Sequence, residues 1–246
     1  MFCYQESVSK GTPTPCTKEI WNALIDSAKV KNICRRIALL DETKKEYNET
    51  KQALKKRLPI IIPHAASFRN GRRISADAVP SGLAMLDVDH VDNPRAFLEQ
   101  RVMSQMQGNQ QDGCAANPDA LRELLIENKI YLVAITASGK GLRLIGAREA
   151  NESIEAAQMR MAKALGINEY DAVTKDLARA SYVVPRAYIL WMDEEGMFAT
   201  EAVATEAVAT EAVSYPSPAS RTSPTLGEEL ARTEAVSYPS PASGTC

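Results

Sequence analysis

IYLVAITASGKGLRLIGAR, residues 130–148, decides the fold. Two apolar runs, IYLVAITA and GLRLIGAR, flank the tight turn Ser138-Gly139-Lys140-Gly141. Strand-like runs joined by so short a connection pair as a hairpin, because a parallel pair needs a crossover of a dozen or more residues. Upstream, GLAMLDVD (82–89) reads as another strand, and the run PIII (59–62) with the Asn70-Gly71 turn reads as strand and loop. Helical signals surround these strands. Thr17 is placed to cap a segment in which Ile20, Trp21, Leu24, Ile25 and Ala28 recur at helical spacing. A second helix is expected from the cap Asp41 to Leu58-Pro59, a third from Asn93-Pro94, and a fourth from Asn117 or Pro118. A long helix is expected from the cap Asn151 to Gly166, and the segment 167–192 mixes a polar turn with one or two last strands. Strands joined by both hairpins and helices predict an α+β fold, a mainly antiparallel sheet with flanking helices, rather than a doubly wound one.

The chain divides in composition. Residues 1–198 hold 27 Lys and Arg against 25 Asp and Glu, whereas 199–246 hold six Glu and two Arg, so the net charge of -2 averages a mildly basic body and an acidic tail. ATEAV repeats three times from Ala199 to Val213, and TEAVSYPSPAS occurs at 210–220 and again at 233–243. Such short repeats have no apolar face to bury, so the tail is expected to be disordered and 1–198 to be one domain. No apolar stretch approaches the roughly 20 residues that cross a bilayer, and MFCYQESVSKG lacks the pattern of a secretory signal, so a cytoplasmic protein is expected. Five scattered cysteines form neither a disulfide framework nor a zinc motif. Of the two histidines, His64 reads as a surface or capping residue, while His90 directly follows an acidic motif.

Three constellations carry chemistry. In Leu86-Asp87-Val88-Asp89-His90 the aspartates are two apart on a strand, so both carboxylates leave the same face about 7 Å apart, as a site for Mg2+ or Mn2+ requires. The alternative is one capping and one solvated aspartate. In the turn 138–141, two glycines let backbone approach a ligand, with Ser138, Lys140 and the following Arg143 in reach of phosphate. The spacing is not that of a Walker loop, and a plain hairpin turn is the alternative. In YDAVTKDLARASY (170–182), Asp171, Lys175, Asp176 and Arg179 offer a further carboxylate and a cation, or else a helix cap and a surface charge cluster.

The order of these motifs resembles the catalytic core of archaeo-eukaryotic primases and primase-polymerases, with its RRM-like sheet. The stretches LPIIIPHAASFRNGR, SGLAMLDVDHVDN, ITASGKGLRLIG and YDAVTKDLARASYV are similar to the N-terminal domain of the virulence-associated E (VirE) family of bacterial mobile elements, found especially in Bacteroidetes. The resemblance covers about residues 1–198. It implies two metals on Asp87, Asp89 and Asp171, with Asp176 as the substitute for Asp171. It also implies contact of Ser138, Gly139, Lys140 and Gly141 with an incoming nucleotide, and of Arg179 with phosphate. Arg143 stands where many primases carry histidine in an SGxGxH pattern, and a guanidinium is permanently charged where imidazole is not.

Template-directed nucleotidyl transfer is the expectation, with Lys140, Arg143 and Arg179 on phosphate. Arg69, Arg72 and Arg73, around the Asn70-Gly71 turn, would contact a single-stranded DNA template, or form a solvated loop. The partners would be template, nucleoside triphosphates and a separate helicase, with no membrane. The competing reading is a catalytically inactive nucleic-acid-binding module of a replication or mobilisation protein. A DxD glycosyltransferase is disfavoured, because no nucleotide-sugar-binding α/β succession precedes the motif.

Overall fold

A computed structural model describes residues 1–107, 118–170 and 176–198. In chain order the elements are β1 (Phe2–Gln5), β2 (Thr14–Cys16), α1 (Lys18–Asp26), α2 (Ala28–Ala38), α3 (Tyr47–Lys55), β3 (Ile60–Ile62), β4 (Ala65–Phe68), β5 (Ala78–Pro80) and β6 (Leu83–Asp89). They continue with α4 (Pro94–Gln107), α5 (Pro118–Glu127), β7 (Ile130–Ile135), β8 (Gly141–Ala147), α6 (Ile154–Ala164), β9 (Ser181–Tyr182), β10 (Ile189–Met192) and α7 (Glu194–Phe198). The tail 199–246 lies outside the described residues, as does the expectation of disorder attached to it.

Among the described residues three antiparallel sheets result, in an α+β arrangement. One runs β10-β7-β8-β6, a second β2-β1-β3-β9, and β4 with β5 forms a separate hairpin. The β7–β8 hairpin is the one predicted from residues 130–148. Strand β6 joins it on the far side of β8, with Leu83 opposite Ala147, Asp87 opposite Arg143 and Asp89 opposite Gly141.

Both faces of this sheet are covered, which is why its strands read as nearly continuous apolar runs rather than alternating ones. Ala84, Leu86 and Val88 of β6 pack with Leu142 and Leu144 of β8 against Leu98, Leu125, Ala157 and Met161 of the helices α4 to α6. Leu83 and Met85 face the other way, with Ile145, towards Trp21 and Ile25 of α1, Val30, Ile33 and Ile37 of α2, and Phe2 and Ile61 of the second sheet. Each fully buried large aliphatic side chain contributes roughly 1.5–3 kcal/mol. Asp87 and Arg143 interrupt this second face.

The helix ends follow capping chemistry with some displacement. Thr17 accepts the Ile20 amide at the start of α1, as its sequence predicts. Asp41 accepts the Thr43 amide in a turn, and α3 begins only at Tyr47. Ser153, not Asn151, caps α6, its hydroxyl accepting the Ala156 amide; Asn151 sits just outside at φ 65°. Among the described residues no helix is long and apolar enough to cross a membrane.

Candidate functional site

Strand β6 delivers Asp87 and Asp89 to one face, as period-two geometry requires, but into different surroundings. Asp87 is buried and Asp89 is exposed. Register places Arg143 of β8 directly opposite Asp87, and the two form a fork. Arg143 Nε donates to Asp87 Oδ1 at 2.8 Å and Nη2 donates to Oδ2 at 2.9 Å, while Nη1 reaches the carbonyl of Tyr182 at 3.4 Å. A planar guanidinium matches a carboxylate in this way, and two charges this enclosed are retained only because each satisfies the other.

That pairing bears on both expected roles. Arg143 is turned inward to Asp87 and Tyr182, and each Asp87 oxygen already accepts a charged hydrogen bond. Asp171 lies outside the described residues. Among the described residues no three carboxylate, histidine or cysteine side chains group as a metal ion requires.

The turn 138–141 abuts the end of β6. The Gly139 amide donates to the Thr136 carbonyl at 2.8 Å and the Thr136 amide to Gly141 O at 2.9 Å, so part of the backbone that a phosphate would use is engaged inside the turn. Gly139 has φ 77°, and a Cβ on Gly141 would lie 2.7 Å from the Val88 carbonyl. Ser138 Oγ lies 3.1 Å from Thr136 Oγ1. Exposed Lys140 is tied to Glu42 at 2.6 Å; this contact raises the lysine pKa and lowers that of Glu42.

Two cavities open near these groups. One, of about 360 Å³, is lined by Val8, Ile60, Arg73, Asp176, Ala178, Arg179, Ala180 and Tyr182. It brings together Arg73, expected on template, Arg179, expected on phosphate, and Asp176, the substitute carboxylate. Arg69 and Arg72 are exposed on the hairpin loop and do not line it. Burial pushes the Tyr182 hydroxyl up while Arg73 and Arg143 pull it down, so both cations act on one phenol. The Asp176 carboxylate is engaged locally, taking the Ala178 amide at 3.0 Å and the Ser75 hydroxyl.

The second cavity, of about 540 Å³, is lined by Asp89, His90, Asp92, Asn93, Phe97, Arg101 and Glu169 among others. His90 turns the chain there at φ 59°, and the Arg101 guanidinium lies 4.9 Å from the centre of the Phe97 ring.

Sequence reasoning missed three contributors. Lys51 and Lys55 lie four apart on α3, on one helix face. Burial pushes the Lys55 ammonium pKa down, Lys51 and Arg143 push it further, and Asp89 and Asp87 oppose them. The spacing was readable; the destination of that face was not. The third is His64, expected as a surface or capping residue and found 1% exposed. It fails as a surface residue because its ring reaches two main-chain groups in the interior. The Met85 amide donates to Nε2 at 2.9 Å, and Nδ1 meets the Asp176 carbonyl at 3.0 Å. Burial holds its pKa below the ordinary histidine value, against the opposing effect of the Asp176 carbonyl.

No family model matches this chain, and neither a curated protein nor a solved structure matches it.

Proposed function

We propose that this chain is a primase-like module that binds single-stranded nucleic acid through its phosphates and does not itself transfer nucleotides. One observation carries the reading: Arg73 and Arg179, remote in sequence, line one cavity with Tyr182. Two guanidinium forks beside an aromatic ring suit a single strand, with phosphate on the cations and a base against the ring. Lys51 and Lys55 extend the positive field towards Asp87. The fork between Arg143 and Asp87 supports the absence of transfer, since it occupies the carboxylate a metal-dependent reaction would need.

Nucleotidyl transfer is the second reading, favoured by Asp87 and Asp89 sharing a strand end against the turn 138–141, with Asp89 opposite Gly141. In it Asp87 and Asp89 would hold Mg2+ or Mn2+, which would supply charge neutralisation at a triphosphate. It requires Arg143 to release Asp87.

Two measurements separate these readings. Fluorescence anisotropy with a labelled single-stranded oligonucleotide should show binding that weakens with salt, and the Arg73→Ala/Arg179→Ala double variant should lose at least about tenfold in affinity. Unchanged affinity in that variant sinks the cavity as the binding site. A priming and extension assay with Mg2+ or Mn2+ should give no incorporation by wild type. Incorporation by wild type that is lost in Asp87→Ala/Asp89→Ala would establish the second reading instead.

A further inference from the structure

His64 follows β3 after Pro63, with its imidazole between two elements far apart in sequence. Its Nε2 accepts the Met85 amide of β6 at 2.9 Å, and a ring nitrogen that accepts carries no proton. The proton of the neutral ring is therefore on Nδ1, which donates to the Asp176 carbonyl at 3.0 Å.

Each partner leads to a residue of the site. Met85 lies two residues before Asp87, on the same face of β6. Its carbonyl accepts Gln158 Nε2 of α6 at 2.8 Å, so both main-chain groups of this one residue are held. The Asp176 carbonyl also accepts the Arg179 amide at 3.0 Å, and its carboxylate takes the Ala178 amide and the Ser75 hydroxyl. Asp176 thus organises the turn that sets the position of Arg179. The main chain of His64 is fixed as well, since the Ser81 amide donates to its carbonyl at 3.0 Å.

We propose that His64 is a positioning residue: one rigid ring sets the spacing between the strand that holds Asp87 and the turn that presents Arg179 to phosphate. The role rests on the reading of that cavity as a phosphate site. The imidazole does not line the cavity, so it acts through Arg179 and not by touching ligand.

The test compares wild type, His64→Gln and His64→Leu, using anisotropy with a labelled single-stranded oligonucleotide and thermal unfolding. Glutamine keeps a donor and an acceptor, whereas leucine keeps only bulk. His64→Leu should bind about tenfold more weakly, on the order of one lost hydrogen bond, and His64→Gln should restore most of the affinity. In wild type the Nδ1–H resonance of His64, assigned with a His90→Asn control because only two histidines exist, should shift when oligonucleotide is added. That resonance decides the matter even if His64→Leu does not fold. Oligonucleotide binding that leaves the resonance unmoved, or a folded His64→Leu with wild-type affinity, overturns the role of His64 alone. Failure of wild type to bind oligonucleotide overturns the phosphate site and this role together.

Discussion

Arg143 of β8 grips Asp87 of β6 through two parallel hydrogen bonds of 2.8 and 2.9 Å, with each side chain only 10% exposed. Removing one partner strands the other charge in the interior. Arg143→Met should therefore lose about 3–5 kcal/mol of stability, while Arg143→Met/Asp87→Leu recovers most of it, because the loss comes from an uncompensated charge. Urea unfolding of the two single variants and the double variant measures the coupling. Additive losses would show that the pair does not act as a unit.

Gly139 and Gly141 share one turn but are constrained by different causes. Gly139 has φ 77° and open space around the position of a Cβ, so Gly139→Ala should cost about 1–2 kcal/mol and Gly139→Asn less, since asparagine tolerates this backbone. Gly141 is limited by the Val88 carbonyl and by Thr136, so Gly141→Ala and Gly141→Asn should both cost at least about 1–3 kcal/mol. Thermal unfolding of the four variants checks the contrast.

The thiols of Cys3, Cys16 and Cys34 are free and buried, and burial pushes them up to about 11, about 12 and about 11. Raised folded-state values mean that the native protein keeps protons the unfolded chain releases. Their contribution to stability is complete below the ordinary thiol value of 9.0 and is lost as pH rises towards the folded values. Stability should fall across that alkaline window, and less steeply in Cys16→Ala. Iodoacetamide at neutral pH should label none of the three until denaturant is added.

Glu42 holds Lys140 on the surface at 2.6 Å. Because the pair is exposed, Glu42→Gln should leave the unfolding midpoint nearly unchanged. If the turn meets phosphate, the same change frees Lys140 and tightens oligonucleotide binding at low salt. Unaltered affinity at low salt would place the turn outside the footprint.

Legibility in the sequence followed the range of the interactions. The β7–β8 hairpin and the start of α1 were readable because a turn and a cap act over a few residues. Helix α2 also carried a readable signal in Val30, Ile33, Cys34 and Ile37, at spacings of three, one and three, and went unread. Strands β1 and β2 gave little signal. β2 is three residues long, and TPC has no alternation; only its pairing with Phe2, Cys3 and Tyr4 of β1 makes it a strand. Asp87 and Asp89 were read correctly as sharing a face. Their different burial was not readable, because the β6–β8 register depends on chain that returns through α4 and α5. The burial of His64 was hidden for the same reason, since both of its partners are main-chain groups supplied by tertiary structure.

β6 ends its sheet, and an outer strand with open amides and carbonyls is a template on which another chain can add. At Met85 both groups are already occupied, the amide by His64 and the carbonyl by Gln158. A strand from a second molecule therefore finds no partner at Met85, and the sheet is closed to growth there by two side chains, one from the segment after β3 and one from helix α6, which packs on β6. The imidazole proposed to position the site is thus also one of two side chains that cap the outer edge of this strand.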